Sequence, residues 1–183
     1  MLNRIIALNL LIVLFPIFLI VALLILLEDG FPVFFYQKRV GINYTFFNIY
    51  KFRSMKKNTP NVATHLLHNP LAYLLRIGRV IRKLSLDELP NLLNVIKGEM
   101  AFVGPRPALY NQDDLMALRI AAGVDKLMPG ITGWAQVNGR DEISIEEKVQ
   151  LELEYLCKKS ILFDIKIIIK TFTNVFFSKG VSH

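Results

Sequence analysis

Residues 5–27 read IIALNLLIVLFPIFLIVALLILL. No side chain in this run is charged, and Asn9 is its only strongly polar one. As a helix, a run of this length matches a bilayer core of about 30 Å. It exceeds the apolar core of a signal peptide, roughly 7–15 residues, and Glu28 and Asp29 follow it, so a cleaved leader is not expected. Pro16 stands in the middle, where it removes one backbone hydrogen bond and favours a kink. Two readings stay open on these residues, a plain span and a helix that enters the membrane, bends at Pro16 and returns. Positive charge flanks both sides, as Arg4 before the run and Lys38 and Arg39 after it, so the positive-inside rule selects neither orientation.

Working outward, the whole chain has 183 residues, is 53% hydrophobic and carries a formal net charge of +7. The mean hydropathy is +0.40. That apolar content excludes a disordered chain. The length suits one domain, and a single long apolar run excludes a polytopic bundle. The lone Cys157 excludes an intrachain disulfide and a cysteine-based zinc site. These values point to an α+β chain in which residues 1–29 form a membrane helix and residues 30–183 a compact mixed domain.

The charge is localised. No acidic residue occurs between Gly30 and Leu86, whereas Lys38, Arg39, Lys51, Arg53, Lys56, Lys57, Arg76, Arg79, Arg82 and Lys83 do. A juxtamembrane basic cluster attracts anionic headgroups. A nucleic-acid groove would also interleave cations with aromatics, but the carboxylates that follow argue against a nucleic-acid partner. Phe31–Tyr36 and Thr45–Phe52 read as strands of a hairpin around a Gly41-Ile42-Asn43 turn. Lys56–Asn69 reads as a loop, in which His65 and His68 could share a helix face without an evident third metal ligand. Leu71, Leu74, Leu75, Gly78 and Ile81 recur at helical spacing, as do Leu162, Ile165, Ile168, Ile169, Phe172 and Phe176. Both stripes suit helices lying on a membrane surface, and both equally suit packing in a protein core.

Three segments carry side chains fit for chemistry. In Arg82-Lys83-Leu84-Ser85-Leu86-Asp87-Glu88-Leu89-Pro90, adjacent carboxylates follow a basic helix. Ser85-x-x-Glu88 matches a capping box. The same residues could form a phosphate and metal site at a helix start, with Arg82 nearby. In Gly104-Pro105-Arg106-Pro107, prolines on both sides of Arg106 fix φ and hold a guanidinium ready for phosphate, or simply build a surface turn. In the segment Pro129–Arg140, Gly130 and Gly133 permit close backbone approach to a ligand. Gln136, Asn138 and Arg140 would share one face of a strand, and Trp134 suits packing.

Taken together, Tyr50–Met55, Ser85–Asn91, Asn94–Met100, Phe102–Pro107 and Pro129–Arg140 resemble, in order, the blocks of the bacterial sugar transferases, the monotopic polyprenyl-phosphate phosphoglycosyl transferases. The chain is similar to the small, catalytic-domain-only members. The resemblance implies transfer of a sugar-1-phosphate from a UDP-sugar to undecaprenyl phosphate, with release of UMP. It implies Asp87 as nucleophile and contact for Mg²⁺, and Glu88 as its acid/base partner. Substrate contacts are expected from Arg82, Pro105, Arg106, Pro107, Thr132, Gln136, Asn138 and Arg140. It implies a re-entrant helix broken at Pro16, a lipid bilayer as partner, and an active site on the cytoplasmic face of the bacterial inner membrane. Ala108–Leu115 with Gly139–Glu142 are similar to members acting on UDP-N-acetylaminosugars. A non-catalytic, membrane-anchored basic binding module is the alternative. The residues carry no signal for oligomeric state.

Overall fold

The computed structural model describes residues 1–60, 69–139 and 143–176. The apolar run forms one helix, α1 (Leu2–Asp29), of 28 residues, about 42 Å at 1.5 Å per residue. Pro16 lies inside it and the helix runs on through that residue. A proline costs a helix one hydrogen bond, and the turns on both sides of Pro16 pack on the protein. Ala7, Leu11 and Leu14 pack on one buried cluster, and Phe18, Val21, Ala22, Ile25 and Leu26 on another. Positions 7, 11, 14, 18, 21 and 25 alternate by four and three, which keeps them on one helix face. The opposite face exposes Ile12, Val13, Phe15, Leu19, Ile20, Leu23 and Leu27.

A hairpin follows. Strands β1 (Phe34–Val40) and β2 (Phe46–Phe52) pair antiparallel, with Phe35 opposite Lys51 and Arg39 opposite Phe47. The first strand begins three residues later than expected and runs on to Val40. The turn is a 3₁₀ segment, Ile42–Tyr44, with Asn43 and Tyr44 at φ of 51° and 61°. Phe34 and Phe52 stack at 5.4 Å between ring centres, and Phe18 of α1 packs on Phe52 at 4.6 Å.

The basic amphipathic segment is two helices, α2 (Pro70–Tyr73) and α3 (Arg76–Lys83), because Leu74 leaves the helix to bridge Met55. Of the expected stripe, Leu74, Leu75, Gly78 and Ile81 are buried in the protein core, while Leu71 is exposed. Arg76, Arg79 and Lys83 form the exposed face. Two further contacts tie α3 to its neighbours. The Glu28 carboxylate at the end of α1 accepts from the Arg76 and Ile77 N–H groups at 2.6 and 3.0 Å, capping α3. Gly78 meets the chain just after β2 so closely that a Cβ there would sit 2.0 Å from the Ser54 carbonyl.

After a 3₁₀ turn, Leu86–Glu88, come α4 (Asn91–Lys97), β3 (Ala101–Val103), α5 (Asp113–Ala121), β4 (Gly130–Thr132), α6 (Trp134–Asn138), α7 (Ile145–Lys158) and α8 (Ile161–Phe176). Strands β3 and β4 pair in parallel. The α8 helix has two apolar faces. Ile167 is fully buried, while Ile161, Leu162, Ile165, Ile169 and Phe172 remain exposed on the opposite side.

Candidate active site

Arg53 and Ser54 at the end of the hairpin join the parts of the site. Buried Arg53 pairs with the Asp29 carboxylate and donates to the Gly30 carbonyl at 2.6 Å, closing the C-terminal end of α1. Ser54 Oγ accepts from Arg82 Nε at 2.8 Å, which aims Arg82 inward from α3. Arg4, at the other end of α1, covers Gly98, the left-handed residue that ends α4.

Between α3 and α4 the chain turns at Ser85, a non-glycine residue in left-handed backbone at φ 55°. Its side chain makes no capping hydrogen bond, which overturns the expected Ser85–Glu88 capping box. The Glu88 carboxylate instead accepts from Lys51 Nζ at 2.6 Å and from Arg106 Nη1 at 3.4 Å. The Asp87 side chain turns inward and is 9% exposed. Burial, and then the neighbouring Glu88 carboxylate, push its pKa up to about 6, against the opposing pull of Lys51, Arg82 and Arg106. Burial also lowers the Arg82 pKa, against the favourable field of Asp87 and Glu88.

Glu88 opens onto a cleft of about 270 Å³ lined by Arg39, Ile49, Lys51, Asn91, Met100, Arg106, Pro107 and Ile131, among others. Arg39, Ile49 and Lys51 share it because the hairpin register puts odd-numbered residues of both strands on one face. Burial, then the nearby Arg106 guanidinium, bring the Arg39 pKa down to about 10, with Glu88 opposing. The proline turn that carries Arg106 is held carbonyl by carbonyl. Pro105 O accepts from Gly130 N at 2.9 Å and Ala108 O from Val40 N at 2.9 Å. Arg106 O accepts from Arg119 Nη2 at 2.9 Å and Pro107 O from Arg39 Nη1 at 3.0 Å. Arg119 is in turn held by Glu152, in an ion pair almost wholly buried. The turn is therefore rigid, as its prolines predict, and it presents the Arg106 guanidinium to the cleft beside Glu88.

Several expected contacts lie elsewhere. Gly130 and Gly133 approach the backbone of Gly104, at 2.2 and 2.1 Å from a notional Cβ, so both are needed for strand packing, and Gly130 also lines the cleft. The expected strand after Gly133 is a short helix, so Gln136 and Asn138 share no strand face. Thr132 Oγ1 bonds Thr171 Oγ1 at 2.7 Å, Gln136 donates to Ile131 O and Asn138 to Trp134 O. None of these three lines the cleft. Pro105 lines a separate crevice behind the turn, with Arg119 and Asp125. Arg140, with Asp141 and Glu142, and the pair His65 and His68 lie outside the described residues. Arg39, Lys51, Asn91 and Arg119 were not singled out as site residues from sequence. Lys51 could have been, because it lies in the Tyr50–Met55 block.

Among the described residues no three of His, Cys, Asp and Glu converge. Mg²⁺ commonly takes only one or two carboxylates and completes its shell with water and substrate phosphates. Buried Asp87, with Glu88 beside it, fits that donor set, for an ion that arrives with a diphosphate. Chemically, the site offers a desolvated carboxylate inside a ring of cations, suited to attack on phosphorus next to charge-neutralising groups.

A family model described as bacterial sugar transferase matches residues 1–178. The chain is 44% identical over 155 residues to the uncharacterized sugar transferase EpsL of Bacillus subtilis, covering 85% of this chain and 75% of that protein. It is 42% identical over 182 residues to an undecaprenyl-phosphate glucose phosphotransferase of Komagataeibacter xylinus, covering 93% of this chain and 34% of the other. It is 37% identical over 165 residues to an N-acetylgalactosaminephosphotransferase of Aeromonas hydrophila that uses UDP-N-acetylgalactosamine and undecaprenyl phosphate, covering 87% and 39%. This chain thus spans three quarters of the first relative and between 34% and 39% of the other two. With matched residues reaching across the apolar helix α1, the carboxylate pair and the proline turn, the chain belongs to the bacterial sugar transferase family and is an enzyme of that family.

Proposed function

We propose that the protein moves a sugar-1-phosphate from a UDP-sugar to undecaprenyl phosphate, as the first membrane step of a glycan. The observation that carries this reading is the buried Asp87 carboxylate beside Glu88 within the charge of Lys51, Arg82 and Arg106. In the first half-reaction Asp87 Oδ attacks the β-phosphorus, an aspartyl–phosphorus bond forms, and the bond to the α-phosphate oxygen breaks to release UMP. In the second, a phosphate oxygen of undecaprenyl phosphate attacks the same phosphorus and the Asp87 carboxylate leaves. A carboxylate serves as both nucleophile and leaving group. Glu88 assists the acceptor and anchors Lys51 and Arg106, whose charges hold phosphate oxygens. Asp87 would hold Mg²⁺, which would supply charge neutralisation of the diphosphate. Relatives are named for glucose, galactose and N-acetylgalactosamine. A UDP-N-acetylaminosugar is the donor we propose.

The acceptor is lipid, and the proposed placement follows from α1. Arg4 on Gly98, Ala7 and Ile25 in the core, and Asp29 on Arg53 keep the whole helix against the same body. A helix so held keeps both ends on one side of the bilayer, with its outer apolar face and the exposed stripe of α8 in lipid. We place that side at the cytoplasmic face of the inner membrane. The decisive assay is UMP release from a panel of UDP-sugars with and without Mg²⁺. Release that depends on Mg²⁺ and is abolished in Asp87→Asn, with labelled sugar phosphate trapped on the wild-type protein, is expected. Full release by Asp87→Asn overturns the covalent route.

A further inference from the structure

Asn91 and Asn94 lie one turn apart on α4 and are treated differently. Asn94 is fully buried and satisfied: its amide donates to Asn48 O and to Glu99, both at 2.7 Å, and its Oδ1 accepts from Tyr50 N at 3.2 Å. Asn91 is 3% exposed, yet its Oδ1 has no hydrogen-bond partner among the described residues. A sealed carbonyl oxygen left without a donor costs folding free energy, and native interiors rarely tolerate one without a use. Asn91 also lines the cleft beside Glu88, Lys51, Arg39 and Arg106.

The chemistry of that wall restricts what can complete Asn91. Arg39, Lys51 and Arg106 are donors only, and a diphosphate satisfies them because its oxygens accept. Those oxygens carry no hydrogen at neutral pH and cannot satisfy Asn91 Oδ1. A hydroxyl of the nucleotide sugar can. We propose that Asn91 is a substrate contact whose Oδ1 accepts a hydrogen bond from a hydroxyl of the bound UDP-sugar, on the hexose or on the ribose. The phosphate-binding cations hold any nucleoside diphosphate, and Asn91 adds the discrimination among sugars that those cations lack. A site built around one such bond rejects an analogue that lacks the donor, because the oxygen is again left unpaired. This inference rests on the donor proposed above.

The test measures UMP release by the full chain in detergent or vesicles. The donors are the preferred UDP-sugar, its monodeoxy hexose analogues, and its 2′- and 3′-deoxyribose analogues. In wild type, one analogue is expected to lose about tenfold or more in kcat/KM. In Asn91→Ala the parent donor falls to the same level, and that analogue loses nothing further. Which analogue responds assigns the hydroxyl to hexose or ribose. The KM for undecaprenyl phosphate stays unchanged. Asn91→Leu, which refills the volume, separates a packing loss from a lost contact, since both variants must erase the same analogue penalty. Wild-type kcat/KM in Asn91→Ala overturns the proposal. So does persistence of every analogue penalty, including the case in which only the Mg²⁺ requirement rises, which would assign Oδ1 to a metal-bound water. A wild type that releases no UMP from any donor instead overturns the proposed function itself.

Discussion

Asp87 stores folding free energy against its own chemistry. Its carboxyl ionises near pH 6 in the folded protein, against 3.8 ordinarily. Between these values the folded state holds more protons than the unfolded state, so the contribution of Asp87 to stability falls as pH rises through that window. Above it, the ionised, desolvated carboxylate costs the fold about 1–3 kcal/mol. Asp87→Asn should therefore unfold at a higher temperature than wild type at pH 7 in the presence of a chelator, and the advantage should vanish at pH 4. An equal difference at both pH values would show that burial does not set this pKa. Lys51 favours the ionised form of Asp87 and also grips Glu88. In Lys51→Met the acid limb of the UMP-release profile should move to higher pH, and the rate should fall about tenfold or more. Asp87, Glu88 and Arg106 were legible as residues because their neighbours form local patterns. Arg39 was not, because only strand pairing brings it to the carboxylates, and Lys51 was marked only by its place in the Tyr50–Met55 block.

Elements show why one local pattern had two outcomes. Ser85-x-x-Glu88 and Ser144-x-x-Glu147 have the same spacing, but only the second forms a capping box, with Glu147 N donating to Ser144 Oγ at 3.1 Å. At the first, two cations outside the segment take the carboxylate, a competition that spacing cannot display. Ser144→Ala should cost about 1 kcal/mol in denaturant unfolding and leave UMP release intact. The polar alternation after Gly133 was read as a strand for a similar reason. Five residues hold little periodicity, and Asn138 and Gln136 bond back within their own turn and its neighbour. The apolar stripe through Gly78 was correctly helical, and its contact decides its partner. Gly78→Ala must force α3 away from the segment after β2, which also carries Arg82 from Ser54. A loss of about 1–3 kcal/mol, together with lost activity, is expected. Normal activity would show that the two elements can part without harm.

At the scale of the molecule, composition located the apolar excess but left its use open, since a span and a re-entrant helix have the same residues. Labelling from either side of the membrane distinguishes them. With Cys157 replaced by Ser, single cysteines at Leu2 and at Phe35 should both react with an impermeant reagent only in inverted vesicles. Reaction of the Leu2 cysteine from the opposite side would make α1 a span. The face made by Ala7, Leu11, Leu14, Phe18, Val21 and Ile25 has a consequence beyond topology. Phe52, Leu75 and Ile81 on one side, and Leu92 and Val95 on the other, have this helix as their cover. A chain begun after residue 29 would lose a wall of its own interior, and each side chain so bared forfeits up to about 1.5–3 kcal/mol of burial. Clipping the hydrophobic segment should yield an aggregating, inactive polypeptide and not a soluble enzyme, because the helix proposed to meet lipid also completes the fold.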